Sequence, residues 1–429
     1  MPDASADLDN CLRREIKQRH SPLKILMVAL NYAPEMVGCA KYTSELAEDL
    51  VARGHQVTVV TTPPYYPTWK IADGYNGAVW SRENRNGVRI HRTPLYVPNE
   101  PTSLKRLVHL ASFAVGALPT AVAVAAHHRP DLVFAVAPTL AAATAVLAAG
   151  SLFGAKTWMH IQDFEVDAAF DLGIMKGGMP RRIALSVERS LFGRFDRVSS
   201  ISPAMVQRLS QKGVAQTKLV ELRNWVDVDA TGVLANSNTS YRQQLGIDAA
   251  QIVALYSGNM AAKQGIEALA EVATQLRAVD APVTMVLCGD GPARRLLEQA
   301  CSEASNVKFL PLQPLERLPE LLGTADIHLL PQRPEAADLV LPSKLTGMLA
   351  SGRPVVAMAE RGTGLAHEIE GAGIATSCTA SAMTAAILSL VAAPGLRVKL
   401  GASARIRAEE RWRKDIIISN FEKKVIELC

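Results

Sequence analysis

The sequence predicts an α/β protein made of two doubly wound, Rossmann-like domains that face each other across a cleft. The chain has 429 residues, which is too long for one ordinary core and suits two domains of about 200 residues. Its composition is 48% hydrophobic but only 5% aromatic, as in parallel strands buried under helices. Short β-branched runs alternate with helical patterns, and this alternation starts again near residue 251. It indicates two parallel sheets, each with helices on both faces.

The first half opens with an apolar run at 24–30, which predicts a strand, and continues with a turn and a helix over 38–53. Gly54 is expected to end that helix, because glycine readily takes the left-handed conformation found there. Further strands are expected at 56–61, 88–92, 132–137, 156–161 and 197–201. Residues 224–240 are rich in Asp, Asn, Ser and Thr and are typical of a linker.

In the second half, a new first strand is expected at 251–257, followed by a loop and a helix over 265–279. The remaining strands are expected at 283–287, 307–309, 327–330, 355–357 and 373–375. Ligands of open α/β sheets bind outside the carboxyl ends of the strands, so the interdomain cleft is the expected site.

Charge and cysteine content exclude several classes of protein. The net charge of +5 is small for this length and does not indicate nucleic-acid binding. The six cysteines are scattered without a metal-binding pattern, which favours a reducing cytoplasm and no zinc site. The polar residues 1–21 lack the apolar segment of a secretory signal and are expected to form an extension.

Two apolar stretches resemble membrane spans in composition. His109 and Pro119 interrupt the first, at 107–126, and residues 132–155 are better explained as strand, turn and buried helix. A contact with the membrane surface through Lys105, Arg106 and the apolar face that follows is more plausible than a true span.

The first half contains two candidate loops. Gly38 precedes a helix whose free N–H groups suit a phosphate, although a glycine there is often only structural. The loop at 160–167 follows a strand and combines His160 with the carboxylates of Asp163, Glu165 and Asp167. Such a cluster suits recognition of sugar hydroxyls or proton transfer, and solvated acids in a capped turn are the alternative.

The second half contains three candidate loops. The strand-to-helix loop at 258–265 includes Lys263, and the turn at 288–292 contains two glycines, which indicates tight turning near a ligand. Ser343 is expected to cap a helix that has Lys344 in its first turn. A cation there opposes the helix dipole, so the pair predicts a bound phosphate. No loop matches the dinucleotide fingerprint or the P-loop, which argues against dehydrogenases and nucleoside triphosphatases.

These segments, in this order, resemble the retaining GT-B glycosyltransferases of family 4. The resemblance spans about residues 23–428 and rests on KILMVALNYAPEMVGCAKY, RGHQVTVVT, HIQDFEVDAAFDLG, YSGNMAAKQG, CGDGP, PLQP and ADLVLPSKLTGMLASGRPVVA. It is strongest for the exopolysaccharide enzymes of the colanic-acid fucosyltransferase type.

The resemblance implies four segments: an extension at 1–21, an acceptor-side domain at 22–225, a nucleotide-sugar domain at 226–408 and a C-terminal segment at 409–429. In that segment, residues 411–413 are expected to open a helix that returns to the first domain. The implied catalytic residues are His160, Lys344 and Gly38. The implied donor-binding residues are Asn259, Lys263, Gly289, Asp290, Gly291, Leu312, Ser343 and Lys344. Asp163 and Glu165 are expected to contact the acceptor or the sugar.

The chain departs from the family pattern around the donor. Asn259 stands where many members have Arg, and Lys263 is one position short of the usual Lys. The paired glutamates that hold the donor sugar are absent, since Leu339 and Gly347 occupy their positions.

The expected activity is transfer of a hexosyl or deoxyhexosyl unit from a GDP- or UDP-sugar to a lipid-linked oligosaccharide acceptor, with anomeric retention and without a metal ion. No cofactor and no nucleic-acid partner are expected. The expected location is the cytoplasm, with peripheral contact with the inner face of the membrane. A nucleotide-sugar epimerase, a phosphorylase-like enzyme and an inactive nucleotide-sugar-binding scaffold are the alternatives.

Overall fold

The computed structural model describes residues 21–35, 38–137, 140–164, 167, 178–231, 240–261, 264–334 and 341–429. The contacts divide the chain into two compact units. Unit 1 extends to Leu222 and also includes Ile418–Cys429, whereas unit 2 is Arg223–Ile417. The sequence placed the corresponding boundaries at 225 and 409.

Unit 1 is built on an eight-stranded sheet in the order β3-β4-β2-β1-β5-β6-β7-β8. The strands are β1 (Lys24–Ala29), β2 (Gln56–Thr61), β3 (Ser81–Arg85), β4 (Val88–Arg92), β5 (Leu132–Ala137), β6 (Lys156–Ile161), β7 (Arg197–Ser200) and β8 (Leu219–Glu221). Every neighbouring pair is parallel except β3 with β4. The central strands are almost entirely buried, as expected when helices cover both faces.

The described helices of unit 1 are α1 (Cys39–Ala52), α2 (Ser103–His128), α3 (Ala141–Phe153), α4 (Gly178–Arg194) and α5 (Pro203–Gln211). The helix expected at 38–53 is confirmed to within one residue at each end. Gly54 follows it with a φ of 100° and donates its N–H to the Val51 carbonyl. Glycine adopts this conformation without steric cost, so the predicted helix end is also confirmed.

His109 and Pro119 interrupt the apolar composition of 107–126 but not its secondary structure, because α2 runs through both as one helix. His109 is buried, and its ring nitrogens contact the Tyr96 carbonyl at 2.6 Å and the Tyr65 hydroxyl at 3.0 Å. Pro119 lies on the exposed side. Near it, the Thr120 hydroxyl donates to the Gly116 carbonyl. By length and composition, 104–128 is the one described helix that could cross a membrane.

Unit 2 is built on a six-stranded, fully parallel sheet in the order β11-β10-β9-β12-β13-β14. The strands are β9 (Ile252–Ser257), β10 (Val283–Cys288), β11 (Val307–Leu310), β12 (Ile327–Leu330), β13 (Val355–Met358) and β14 (Gly373–Thr376). The described helices are α6 (Ser240–Gln244), α7 (Ala268–Ala278), α8 (Arg294–Ala300), α9 (Leu318–Thr324), α10 (Lys344–Ala350), α11 (Gly364–Ile369), α12 (Ala380–Ala392), α13 (Pro394–Trp412) and α14 (Lys414–Leu428). The strand order reverses between β9 and β12, which marks the usual ligand position of such a sheet.

The C-terminal segment differs from the expectation that residues 411–413 open a final helix. Arg411 and Trp412 instead end α13, and Arg413 forms an isolated bridge with Val226 before α14 begins. The buried Trp412 also accepts the Val226 N–H with its carbonyl, so this backbone pairing fixes the break between the helices. The end of α14 belongs to unit 1, where Phe421 packs against Phe134 and Trp158.

The sequence missed two strands of unit 1. β3 is an exposed edge strand with the polar sequence SRENR, and β8 has three residues. Neither has the apolar periodicity on which strand prediction depends. The remaining expected strands are present, most of them within one residue of the expected bounds.

Candidate functional site

The loop after β1 in unit 1 is held by a buried carboxylate. Glu35 accepts the backbone N–H groups of Tyr65 and Tyr66 at 2.6 and 2.7 Å, and its other oxygen accepts from Asn31 at 2.8 Å. Burial raises the pKa of Glu35, while these hydrogen bonds oppose the rise. The carboxylate therefore ties the β1 loop to the segment that contains Tyr65 and Tyr66.

Gly38 stands directly before α1 with φ of 62° and ψ of −138°, a backbone conformation that favours glycine. No atom of the described residues lies within 4 Å of the position that a Cβ would occupy. The first N–H groups of α1 receive no side-chain cap from Gly38. Gly38 is thus unobstructed by the described residues at the position where the sequence predicts a phosphate.

His160 lies at the end of β6 and is enclosed by protein groups. Its Nε2 is 3.0 Å from the amide nitrogen of Gln162, and its Nδ1 is 2.9 Å from the Ser199 hydroxyl. If the Gln162 amide donates to Nε2, the ring proton lies on Nδ1 and is donated to Ser199. Burial lowers the pKa of His160 to about 3. The imidazole is therefore neutral at physiological pH and cannot act as a general acid there.

A stack of aromatic rings and one hydroxyl hold His160 in place. Its ring stacks on Phe134, with centroids 6.1 Å apart. The Ser199 hydroxyl that contacts Nδ1 also accepts the Trp158 indole N–H at 2.8 Å. Both ring nitrogens of His160 therefore already have protein partners.

The carboxylates that follow His160 lie in different environments. Asp163 is half-buried and is among the charged groups that raise the pKa of Tyr66, after burial and Cys39. Asp167 instead forms ion pairs with Arg208 at 2.8 Å and Lys212 at 2.6 Å. Burial acts to raise its pKa, but the hydrogen bonds and charges of these two cations together outweigh burial and lower the pKa. Asp167 thus secures α5, and Glu165 lies outside the described residues.

In unit 2, two glycine turns pack against each other at the carboxyl ends of β9 and β10. A Cβ on Gly289 would lie 1.9 Å from the Gly258 carbonyl oxygen, and one on Gly291 would lie 2.6 Å from the Met260 carbonyl oxygen. Both glycines have φ near 148°. Only glycine fits here, because the two turns exchange backbone hydrogen bonds, such as Met260 N–H to the Asp290 carbonyl at 2.8 Å.

Lys344 reaches this pair of turns from the start of α10. Its ammonium donates to the Tyr256 hydroxyl at 3.0 Å and lies 4.2 Å from the centroid of the same ring. The Tyr256 hydroxyl in turn donates to the Asn259 carbonyl at 2.6 Å. A Cβ on Gly258 would lie 3.5 Å from the lysine Nζ, so the cation lies directly beside the first glycine turn.

The charge of Lys344 has no acidic partner within the described residues. No carboxylate oxygen of a described residue lies within 4 Å of the Lys344 Nζ. Although some of the side chain is accessible, burial among the surrounding atoms lowers the pKa of its ammonium to about 7. An anion placed between the lysine and the glycine turns would restore the full positive charge.

The other donor residues expected from the sequence have different outcomes. Ser343 precedes α10 as expected, but its backbone is already helical and its hydroxyl makes no capping bond, so the predicted N-cap interaction is wrong. Asp290 accepts the N–H of Gly291 at 2.7 Å. Leu312 is 63% exposed beyond β11, whose last carbonyl accepts the N–H of Gly289 at 3.1 Å. Lys263 lies outside the described residues.

Sequence reasoning missed three residues that organise these loops: Glu35, Tyr256 and Arg294. The guanidinium of Arg294 donates to the carbonyls of Gly289 and Leu310 and so fixes the second glycine turn. A lone carboxylate or tyrosine carries no periodic signal, and contacts such as Lys344 with Tyr256 join residues that are 88 positions apart. Across the described ranges, no group of three or more His, Cys, Asp or Glu residues could hold a metal ion.

Two family models match the chain. The model of a "Glycosyl transferase 4-like domain" matches residues 37–225, and that of "Glycosyl transferases group 1" matches residues 251–393. The chain is 38% identical over 406 residues to WcaI of Escherichia coli (strain K12), named as a colanic acid biosynthesis glycosyl transferase. That match covers 93% of this chain and 98% of the relative.

Solved structures share the fold at lower sequence identity. Sucrose-phosphate synthase from Thermosynechococcus elongatus superposes with a TM-score of 0.75 at 19% identity, covering 95% of this chain and 99% of the other. HepE of Anabaena, solved with UDP and glucose, gives a TM-score of 0.69 at 18% identity and covers 95% and 100% of the two chains.

Proposed function

Since the chain belongs to the GT-B glycosyltransferases of the family 4 and group 1 type, we propose that it transfers a hexosyl or deoxyhexosyl unit from a nucleoside diphosphate sugar in exopolysaccharide biosynthesis. The observation that carries the donor assignment is the cation of Lys344, which lies without an acidic partner among the described residues, beside two glycine turns. The role in exopolysaccharide synthesis, of the colanic-acid type, is supported by the identity with WcaI over nearly the whole chain.

The proposed donor site lies at the carboxyl edge of the unit 2 sheet. Lys344 neutralises the diphosphate, and the turns that contain Gly258, Gly289 and Gly291 let the backbone approach it closely. Because the leaving nucleoside diphosphate gains negative charge as the glycosidic bond breaks, a fixed cation there stabilises the transition state. Leu312, which is well exposed beyond β11, supplies an apolar surface for the base. HepE, which was solved with UDP and glucose, supports a nucleotide donor by fold analogy.

The proposed reaction retains the configuration of the anomeric carbon and needs no metal ion, because the lysine and backbone N–H groups stabilise the leaving group. The neutral His160 orients the sugar through its backbone carbonyl, with Gln162 as the neighbouring hydrogen-bonding group. Gly38 and Asp163 lie on the same edge of unit 1 and are assigned to the sugar side. Glu165 and Lys263 lie outside the described residues, and we include them in the proposal only because the sequence predicts them.

We assign the acceptor to unit 1 as a lipid-linked oligosaccharide. The kinship with WcaI supports a growing exopolysaccharide as the acceptor. A cytoplasmic enzyme that makes peripheral contact with the inner face of the membrane would meet both its soluble donor and its lipid acceptor.

A donor screen followed by a transfer assay tests this proposal. UDP-, GDP-, ADP- and dTDP-sugars are compared by thermal shift, and the stabilising donor is then incubated with a detergent-solubilised, lipid-linked acceptor. We expect one donor to raise Tm and to be transferred in the presence of EDTA, with the same anomeric configuration in donor and product by NMR.

His160→Ala should lower kcat for transfer by at least tenfold, because the cavity and the lost hydrogen bonds displace the backbone that orients the sugar. Unchanged turnover would contradict the site assignment. Donor interconversion without any acceptor would identify an epimerase, and donor binding without transfer to any lipid-linked acceptor would identify a scaffold.

A further inference from the structure

Helix α2 of unit 1 exposes an apolar stripe along most of its length. Its side chains recur at intervals of four, three, four and three residues, which places them on one helical face. The members of the stripe are Leu104, Val108, Ala111, Val115 and Leu118. Leu104 and Val115 are 72% and 74% exposed. From Leu104 to Leu118 the stripe is about 21 Å long at the helical rise of 1.5 Å per residue.

The opposite face of α2 is fixed in the core of unit 1. Phe113, Ala117 and Ala121 are fully buried, and a Cβ on Gly116 would lie 2.9 Å from the Thr93 side chain. The contacts of His109 with Tyr65 and Tyr96 add two polar ties. A helix that crosses a bilayer is surrounded by lipid or by other spanning elements, so α2 cannot span while this face remains packed on the sheet.

The formally charged side chains within the α2 segment have one sign. Residues 101–130 contain no Asp or Glu. Lys105 and Arg106 are exposed in the first turn, and Arg129 is exposed just beyond the end of the helix. A helix that combines an apolar stripe with exposed cations and no carboxylate of its own complements the anionic surface of a cytoplasmic leaflet.

Two partly exposed aromatic side chains flank the helix. The Trp80 indole is 62% exposed, and its N–H is 3.2 Å from the Thr120 hydroxyl. The backbone N–H of Tyr96 donates to the Ser112 hydroxyl at 3.0 Å, and its side chain is 44% exposed. Tryptophan and tyrosine favour the boundary between lipid headgroups and acyl chains, because each ring is apolar with one polar tip.

We propose that α2 is a monotopic membrane-docking helix that lies in the plane of an anionic lipid surface, with its stripe inserted among the acyl chains and Lys105 and Arg106 among the phosphates. The occupant of the stripe is therefore the lipid surface, not a second copy of this chain. The docking itself does not depend on the proposed function. Its purpose does, because we assign the docking helix to holding the enzyme beside a lipid-linked acceptor.

Flotation of the purified full-length protein with vesicles tests the docking surface. One set of vesicles contains phosphatidylcholine alone, and the other contains about 30% phosphatidylglycerol. We expect the wild-type protein to float with the anionic vesicles, less so as salt is raised, and to be released by an alkaline carbonate wash. Failure to float, or resistance to carbonate, would overturn the proposal, the latter in favour of a spanning helix.

Variants locate the contact on α2. Val115→Glu should lower the partition coefficient by at least tenfold, because an apolar side chain is lost from the bilayer and a charge replaces it. Val398→Glu is the matched control, since Val398 is also 74% exposed on a helix but lies in unit 2. It should float like the wild type. Equal losses in the two variants would contradict a surface on α2.

Two further experiments test the electrostatic contribution to vesicle binding and whether a second copy of this chain, instead of lipid, covers the stripe. Lys105→Gln should weaken binding to anionic vesicles by about fivefold and leave binding to neutral vesicles unchanged. Light scattering should give a monomer for both wild type and Val115→Glu. A wild-type dimer that Val115→Glu dissociates would assign the stripe to a second copy instead.

The two proposals can fail independently, because flotation needs neither donor nor acceptor. Transfer to a detergent-solubilised acceptor without flotation would refute the docking surface only. Flotation without transfer would refute the proposed function only. Thermal unfolding of Val115→Glu should match that of the wild type, and Val115→Ser, with a smaller expected loss of flotation, provides a second variant if the glutamate disturbs the fold.

Discussion

His160 of unit 1 and Lys344 of unit 2 both lie at the carboxyl edge of a parallel sheet, and the structure surrounds them in opposite ways. Both ring nitrogens of His160 have protein partners, and the ring is neutral. The Lys344 ammonium has one hydroxyl partner and no carboxylate within the described ranges, and burial lowers its pKa to about 7. The unit 1 site is complete without a ligand, whereas the unit 2 site becomes electrostatically satisfied only when an anion binds.

From this difference we expect His160 to position the reacting groups and Lys344 to bind the donor. A fully hydrogen-bonded imidazole holds its backbone rigidly, so its contribution is geometric. A buried cation without an acidic partner costs free energy in the free protein, and the proposed diphosphate would recover that cost on binding. Substitutions in the two units should therefore have different signatures in stability and in donor affinity.

The largest effect is expected from Gly289→Ala. The new Cβ would meet the Gly258 carbonyl oxygen at 1.9 Å, so the two turns must separate and the proposed donor site would be lost. We expect donor affinity, measured by calorimetry, to fall by a hundredfold or more, with destabilisation of about 3 kcal/mol. Gly362→Ala is the control, because Gly362 also has a positive φ but no atom within 4 Å of the Cβ position. Comparable loss of affinity in the control would show that backbone strain, not the contact, is responsible.

Lys344→Met should lower kcat/KM by about a hundredfold, because it removes the cation that stabilises the leaving diphosphate. The free protein should be at least as stable as the wild type, since a buried charge is replaced by an apolar side chain of similar length. Thermal unfolding with and without donor measures both effects. Lys399→Met, at an exposed position of α13, is the control for loss of one charge. A destabilised Lys344→Met protein would argue that the lysine has a structural partner.

The next largest effect is expected from a substitution among the hydrogen bonds that join Trp158, Ser199 and His160 in unit 1. Ser199→Ala removes the oxygen that accepts from Trp158 and contacts His160 Nδ1, so two buried polar groups lose a partner. We expect destabilisation of about 1 to 3 kcal/mol and a fall in kcat of about tenfold. The KM for the donor should remain unchanged, because these hydrogen bonds belong to unit 1, whereas the lysine and the glycine turns belong to unit 2. A change confined to the donor KM would contradict the positioning role.

The smallest effect is expected from a change in pH, measured as the change in donor affinity for each pH unit. The pKa of Lys344 is about 7 in the folded protein and near 10.4 in an unfolded chain. Between these values the unfolded chain binds more protons, so this group makes stability rise as pH rises, and its charge is buried at full cost below pH 7. A bound diphosphate favours the protonated lysine. Donor affinity should therefore fall by up to about tenfold for each pH unit above about 7.

Calorimetry in buffers of different ionisation enthalpy measures this linkage. Proton uptake should accompany donor binding in the wild type near pH 8 and should disappear in Lys344→Met. A flat pH profile in the wild type would show that the lysine is already charged in the free protein.

The strands of both sheets other than β3 and β8 could be predicted, because buried parallel strands are local apolar runs bounded by turn residues. The glycine turns at 258 and 289–291 and the Ser343–Lys344 pair could be found for the same reason, as loops that follow such strands. Glu35, Tyr256 and Arg294 could not, since each acts on a segment distant in sequence or on backbone groups that carry no sequence signal. The expected capping bond of Ser343 failed because its own backbone is already helical.

By itself, the sequence determined the two-sheet architecture and the glycosyltransferase family, because periodicity and ordered motifs are local properties of the chain. It also supplied the glycines and the lysine of the proposed donor site. Only the tertiary structure decided that His160 is neutral and fully hydrogen-bonded, that Lys344 rests on Tyr256, and that one face of α2 is buried while the other carries an apolar stripe. Burial and long-range hydrogen bonds set the charge and accessibility of a side chain, and these arise only when distant segments pack together.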